Sequence, residues 1–298
     1  MENKPTLTVF TPTYNRAYTL WKGYEGLKRQ TSKDFKWVIV DDGSIDNTRE
    51  LVEGWIKENL VPIEYYYKKN GGMHTAHNEA YRHIDTELAV CIDSDDYMTD
   101  NAVELIIDRW RKYGNNRFAG MIGLDVYENG SVIGTSFPEG LTECKTYDLE
   151  RKYGVICDKK FVYRPEVIKK NLPYPEFEGE KYGTVNWLYQ KIDHEYDMLC
   201  SNDVYCVVEY LSDGLTINIY EQHKKSPRTR AVESDELITY VPYKLEKTKR
   251  AIQYVSSAIF ARDVKLLFNT SNKRWIIPAI PLGIMYNIYL RFKKTRRL

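Results

Sequence analysis

"ELAVCIDSDDYMTD" (residues 87–100) sets the problem. The mostly apolar run Leu88 to Ile92 ends in Asp93, Ser94, Asp95 and Asp96. Apolar runs of this length, stopped by turn residues, are the mark of a buried strand. Carboxylates crowded this closely raise one another's pKa unless a positive charge joins them. The stretch therefore predicts a strand whose carboxyl end meets a cation. Asp96 and Asp100 have a competing explanation, because they stand just before a helical pattern (Val103, Ile106, Ile107, Trp110) whose dipole favours negative charge. Asp93, at the strand end, has none.

The same grammar recurs upstream. "LTVF" (7–10) breaks at "TPTYN", "KWVIVDDGS" (36–44) breaks at Asp41, Asp42 and Gly43, and "IEYYYKK" (63–69) breaks at Gly71-Gly72. Between these runs lie helical patterns: Leu20, Tyr24 and Leu27 at helix-face spacing, then "TRELVEGWIKEN" and "HTAHNEAYRHI". Strands alternating with helices predict a mostly parallel sheet covered on both faces. Ligands of such sheets bind beyond the carboxyl ends of the strands. The four polar clusters would then meet along one edge.

That edge lacks the usual nucleotide signatures. No GxxxxGK[ST] occurs, and no GxGxxG follows the first strand. An Asp-x-Asp at a strand end suits a hard cation, Mn2+ or Mg2+, shared between carboxylates and substrate phosphates. His74 and His77 stand three apart in a helical stretch with no evident third zinc ligand, so a pocket or helix-surface place is expected.

Composition narrows the class. The chain has 298 residues, 43% of them hydrophobic, enough for a large core, and a net charge of +1 that excludes a general nucleic-acid field. Five scattered cysteines without a CxxC pair predict a reducing compartment. "MENKPTLTVF" carries no apolar signal region, which predicts a cytoplasmic chain. The 25 tyrosines and 6 tryptophans fit either a sugar-binding surface or core packing.

Four motifs in this order, "VFTPTYNRAYTL", "QTSKDFKWVIVDDGSIDNT", "NGGMHTAHNEAY" and "LAVCIDSDDYM", resemble the family 2 glycosyltransferases over about residues 6–110. "FEGEKY…WLYQKI" and "VVEYLSDGLT" resemble, more loosely, bacterial members that build capsule, lipopolysaccharide or wall polymers. The resemblance implies a GT-A fold: an α/β, Rossmann-like, mostly parallel sheet flanked by helices. It would occupy residues 1–220, with a nucleotide-sugar half (1–110) and an acceptor half (111–220). Residues 221–298 read as a helical appendage.

By the same resemblance the enzyme is inverting and uses a nucleotide-diphospho-sugar, most often UDP-linked. Pro12, Thr13 and Tyr14 would line the nucleotide pocket and Asp41 would meet the base edge. Asn70, Gly71 and Gly72 would form the loop beside the nucleotide, braced by Asn78. Asp93 would face the ribose and Asp95 the metal, both carboxylates counting as metal ligands, with Asp96 sharing a task. Many members carry Glu-Asp before an aromatic-rich helix, the Asp being the base. Here Val185-Asn186 stand at that position, and Asn cannot accept the proton. Glu180, in "EGEKY", is the substitute expected from its neighbourhood of Glu176 and Glu178. The missing Asp also leaves room for a nucleotide-sugar-binding pseudo-enzyme. A nucleotidyltransferase, which shares the nucleotide half, usually has a Gly-rich basic loop that "TPTYNRAYT" lacks. Arg228 and Arg230, in "SPRTR", have two readings: charge-assisted hydrogen bonds to a diphosphate or, favoured, an exposed loop.

The tail "KRWIIPAIPLGIMYNIYLRFKKTRRL" (273–298) has an apolar run too short to span a bilayer. Basic residues crowd its end, as in an interfacial membrane segment, which would suit a lipid-linked acceptor at the inner membrane surface. A helix docked on the domain is the other reading.

Overall fold

The computed structural model describes residues 4–156, 158–210 and 219–293. They divide into two compact units: 4–70, 76–172 and 195–210 form the first, and 71–75, 173–194 and 219–293 the second.

The first unit begins with the predicted alternation: β1 (Leu7–Thr13), α1 (Ala17–Lys28), β2 (Phe35–Asp41), α2 (Thr48–Glu58), β3 (Ile63–Tyr67), α3 (Met73–His83), which enters it from residue 76, and β4 (Leu88–Cys91). The order β3-β2-β1-β4 is parallel throughout, with Leu7 opposite Phe35 and Leu88, and Trp37 opposite Ile63. Every residue of β1 is buried, as a strand covered on both faces must be. Leu20, Tyr24 and Leu27 of α1 bury as their spacing predicts. Tyr24 stacks on Trp55 at 4.5 Å, and Trp55 on Trp37 at 5.9 Å, so these aromatics are core rather than sugar platform.

Beyond β4 the sheet stops being parallel. β5 (Tyr97–Met98), α4 (Ala102–Tyr113), β6 (Phe118–Val126), β7 (Glu143–Cys144), α5 (Leu149–Tyr153), β8 (Lys159–Tyr163), α6 (Pro165–Asn171) and β9 (Asp197–Val207) complete the unit. α7 (Val185–Ile192), inserted before β9, belongs to the second unit. β8 inserts antiparallel between β4 and β6, and β6 pairs parallel with β9. One apolar core runs from Leu7 through Ile106 and Trp110 to Tyr205.

The second unit is helical. α8 (Ile219–Lys225), α9 (Pro227–Tyr240), α10 (Lys244–Phe260) and α11 (Lys273–Phe292) join α7 there, so residues 173–194 group with the C-terminal helices and not with the sheet. α11 seats Ile276, Ala279, Gly283, Asn287 and Leu290 inward. Gly283 is required: a Cβ there would lie 2.4 Å from Val255. Asn287 ties the two helices through Ser256 O at 3.1 Å.

Candidate active site

The site is built at the carboxyl ends of the parallel strands in the first unit. After β1 the chain turns at Asn15, whose φ of 53° is left-handed, a conformation Asn tolerates better than most. Asn15 donates its backbone N–H to Ser44 Oγ at 2.8 Å, and its Oδ1 accepts from Ile45 N at 2.8 Å. These bonds clamp the loop after β1 to the loop after β2. Asp46 finishes the clamp by accepting from Ala17 N at the start of α1 and from Thr48. Burial works against its charge, but those hydrogen bonds outweigh it and hold the carboxyl below its ordinary range. Pro12 and Thr13 are buried at the end of β1, and Tyr14 is 47% exposed.

Asp41 and Asp42 are both buried. Asp41 accepts Ser44 N–H at 2.7 Å and the Tyr65 hydroxyl at 2.6 Å. Burial, and then the bond to Asp41, push the tyrosine's pKa up. Asp42 pairs with Lys68 at 2.7 Å and takes Asn70 Nδ2 on both its backbone oxygen (2.8 Å) and its carboxylate (3.1 Å). Gly43 is needed for its φ of 86° and because a Cβ would lie 2.7 Å from Asn70 N. Asn78 is buried on α3. Gly71 and Gly72 belong to the second unit, where Gly72 (φ 97°) passes so near Lys181 that a Cβ would lie 1.9 Å from its carbonyl oxygen.

The three aspartates of the opening stretch separate. Asp93 is exposed, Asp95 is half-buried and Asp96 is buried, on a turn closed by Asp96 N to Asp93 O at 3.1 Å. Asp96 is not spent on the dipole of α4. Its carboxylate accepts Glu209 N–H at 3.2 Å and lies 3.8 Å from Lys160 Nζ. Lys160, on β8, lies 3.9 Å from Asp125, on β6. A buried lysine shared by two buried carboxylates is thus part of the answer to the crowding. Burial pushes Asp96 up to about 8, with Lys160 opposing and Asp93 and Asp95 adding to the rise. Burial pushes Asp125 up to about 6, again against Lys160. Lys160 itself sits well above its ordinary value: its own burial favours the neutral form, but Asp125 and its other neighbours outweigh that. One Asp125 oxygen has no hydrogen-bond partner, an expensive state for a buried polar atom.

A hard divalent cation takes oxygen donors, commonly one or two carboxylates completed by substrate phosphates. Asp93 and Asp95, two carboxylates on one turn, fit that donor set, whereas Asp96 is engaged by Lys160. Among the described residues no group of three or more His, Cys, Asp and Glu side chains is placed to hold a metal.

Several expectations change. His74 and His77 are buried, not on a helix surface: His77 packs edge-on against Phe10, and the backbone at Gly183 packs against the His74 ring. Arg228 and Arg230 are in α9, not an exposed loop, and Arg230 is buried. Glu180, in the second unit, accepts Arg228 N–H at 2.9 Å and both Thr229 N–H and Oγ1 at 2.8 Å, so it caps α9. Asn186 is exposed in the first turn of α7. Glu233, unremarked in the sequence, is buried and accepts from Thr184 N (2.5 Å) and Oγ1 (2.9 Å). Lys160 was equally unremarked, though a lysine inside the buried run "KKFVY" was its signal. Of "VVEYLSDGLT", residues 211–216 lie outside the described residues, as do the basic residues from Lys294 on.

Four parallel strands continued by antiparallel ones in a single mixed sheet, with an Asp-rich turn at the edge, are the architecture of a GT-A sugar transferase. Residues 8–172, more than half the chain, match the family "Glycosyl transferase family 2", and the chain belongs to that family. It is 30% identical over 137 residues to a chondroitin synthase of Pasteurella multocida, a match covering 45% of this chain and 14% of that protein. The chain matches only 14–16% of the length of this and two other curated synthases. Its fold is that of S. aureus TarS 1–349, solved in complex with UDP-GlcNAc (TM-score 0.61, 18% identity, covering 96% of this chain and 81% of that one). It is also that of the mannosyltransferase PcManGT from Pyrobaculum calidifontis, solved with GDP-Man and Mn2+ (TM-score 0.55, 14% identity, covering 97% and 88%).

Proposed function

We propose that this chain moves a sugar, with inversion, from a UDP-linked donor to a hydroxyl of a growing cell-surface glycan or lipid-linked acceptor. The observation carrying the reading is the convergence of Thr13/Tyr14, Asp41/Asp42, Asn70 and Asp93/Asp95 at one sheet edge within a family 2 chain. The UDP-GlcNAc held by TarS and the glycan made by the synthase support the donor and acceptor classes. Asp41, held rigid by Ser44 and Tyr65, would present its remaining lone pairs to the base edge, beside Pro12, Thr13, Tyr14 and Asn70. Asp93, toward the ribose, and Asp95 would hold Mn2+ or Mg2+, which when bound supplies positive charge to the leaving diphosphate. A panel of nucleotide-sugars tests the reading. Transfer or donor hydrolysis supports it; binding without turnover would make the chain a binding module, and pyrophosphate release a nucleotidyltransferase.

Glu180 is the proposed base, taking the acceptor proton in a single displacement without a protein nucleophile. Three of its roughly four lone-pair directions are used by α9, which leaves one and holds the group still. Glu180→Gln is expected to lower single-turnover transfer by roughly 10²–10⁴-fold, the range for one general base, with UDP affinity within a factor of about three. Wild-type transfer with a lowered Tm would assign Glu180 to capping alone, and a strong gain in Asn186→Asp would mark the natural chain as an impaired transferase.

The tail carries the peripheral-membrane part of the reading. No helix among the described residues is long and apolar enough to cross a membrane. α11 packs one face inward and leaves Ile277, Met285, Ile288, Tyr289 and Phe292 at least half exposed. Residues 273–298 contain seven Lys and Arg and no Asp or Glu. An apolar face edged by cations fits an anionic lipid surface at the inner face of the cell membrane, each cation contributing about 1 kcal/mol. Met285→Glu with Ile288→Glu should lower co-sedimentation with phosphatidylglycerol vesicles by more than about tenfold, since each apolar side chain withheld costs about 1.5–3 kcal/mol. Unchanged co-sedimentation would remove the membrane from the reading.

A further inference from the structure

The carboxyl ends of β6 and β9 open on the same edge as those of β1 to β4. β8 runs antiparallel to both β4 and β6, so β6 is parallel to β4, and β9 is parallel to β6. Whatever follows Val126 and Val207 therefore comes out on the side of the sheet that carries the Asp93–Asp95 turn. The proposed nucleotide contacts follow β1, β2, β3 and β4, and these two further ends take no part in them.

Each of these ends carries an exposed tyrosine. Tyr127 follows β6 directly and is 41% exposed, and Tyr210 lies just past β9 and is 56% exposed. Their ring centroids are 6.1 Å apart and their planes meet at 53°. The backbone holds that spacing. Val208 N–H donates to Val126 O at 2.9 Å, and Tyr127 is fixed in a tight turn, its N–H on Ser131 O at 2.9 Å and its own O accepting Gly130 N–H at 2.8 Å. The Tyr210 hydroxyl donates to Asp158, an exposed carboxylate just ahead of β8. Next to Tyr210, Glu209 N–H donates to Asp96 at 3.2 Å, and the Glu209 side chain pairs with Lys22 of α1. Tyr210 is thus one residue away from a hydrogen bond to the Asp-rich turn.

A lone exposed aromatic needs no explanation. Two in contact, beside a carboxylate on the working edge of a sugar transferase, call for one. The electron-rich face of an aromatic ring attracts the weakly positive C–H face of a pyranose, and a carboxylate accepts hydrogen bonds from its hydroxyls. In the sheet order, β6 and β9 stand beyond β4 and β8 from β2, where Asp41 is placed to meet the base.

We propose that Tyr127, Tyr210 and Asp158 form the subsite for the terminal sugar ring of the acceptor glycan. The ring stacks on the two tyrosines, and Asp158, steadied by the Tyr210 hydroxyl, accepts a hydrogen bond from one of its hydroxyls. Both tyrosines are open to solvent, as the end of a polymer arriving from solution requires. This inference rests on the transferase reading and gives its acceptor a place.

The test is calorimetric titration of the full chain, with saturating UDP and Mn2+, by four probes: chondroitin and hyaluronan tetrasaccharides, chitotetraose and cellotetraose. Wild type should bind at least one of them at a single site. Tyr127→Ala and Tyr210→Ala should each weaken that binding by about two- to tenfold, the equivalent of one aromatic contact. Tyr210→Phe, which keeps the ring and drops only the hydroxyl, should bind more tightly than Tyr210→Ala. Titration with UDP alone should give the same affinity in wild type and all three variants. Failure of wild type to bind any probe, or wild-type affinity in both alanine variants, overturns the proposal. An equal loss for UDP and oligosaccharide also overturns it, because the tyrosines would then only support the Asp96 turn. Failure of the transferase reading shows separately, as wild type that neither transfers sugar nor hydrolyses any donor.

Discussion

Asp95→Ala is expected to lower sugar transfer by about 10³-fold or more, the rate equivalent of the several kcal/mol that a cation contributes at a leaving diphosphate. It should also remove the dependence of UDP binding on Mn2+. The reason is the division of labour on one turn. Asp96 is buried against Lys160, whereas Asp93 is exposed and Asp95 half-buried. Among the described residues no group of three or more His, Cys, Asp and Glu side chains is placed to hold a metal. Asp41→Ala should behave differently, weakening UDP binding with or without Mn2+, since its proposed partner is the base. Calorimetry of UDP binding, with and without Mn2+, separates the two variants. UDP binding by wild type that is equally tight in both conditions would sink the metal assignment while leaving the family membership untouched.

Lys160→Met is expected to cost about 3–5 kcal/mol of stability near pH 8, the usual penalty for removing one partner of a buried ion pair. It would strand Asp96 and Asp125 without their cation. The pH dependence distinguishes this cause from simple loss of packing. Both carboxyls have folded-state pKa values, about 8 and about 6, above the roughly 3.9 of an unfolded Asp. The native chain therefore holds protons that the unfolded chain releases. Their contribution to stability falls as pH rises from about 4 through 6 for Asp125, and through 8 for Asp96. Lys160, raised in the fold, contributes below about 10.5, and that contribution is lost at higher pH. Removing Lys160 pushes both carboxyls further up, so the deficit against wild type should be small at pH 5 and grow toward pH 8. Urea unfolding at the two pH values reads it directly, and an equal deficit at both would refute the charge account.

The parallel half of the molecule was legible because its signals are local. Four apolar runs, each stopped by Asp, Asn or Gly and separated by helical periodicity, allow almost only strands β1 to β4 in parallel. Their carboxyl ends must then share an edge. Asp41, Asn70, Asp93 and Asp95 lie at that edge for that reason. Sequence also showed that residues 273–298 carry cations without anions, a property no folding can alter.

What tertiary structure decided was every partnership between distant residues. Lys160 meets Asp96 and Asp125 only because β8 enters antiparallel between β4 and β6, and hydrophobic patterning does not encode strand order. Sequence placed Glu180 only in a run of carboxylates; that it accepts from Arg228 and Thr229 at the start of α9 is a tertiary outcome, because a helix N-terminus needs acceptors for its free N–H groups. Arg230, expected in an exposed loop, and Glu233, which carries no sequence signal, are buried, since α9 packs against α7 and α10 through polar as well as apolar side chains. Charge type is written in the sequence. Whether a charge meets water, a counter-ion or a helix end depends on which surfaces the fold brings together.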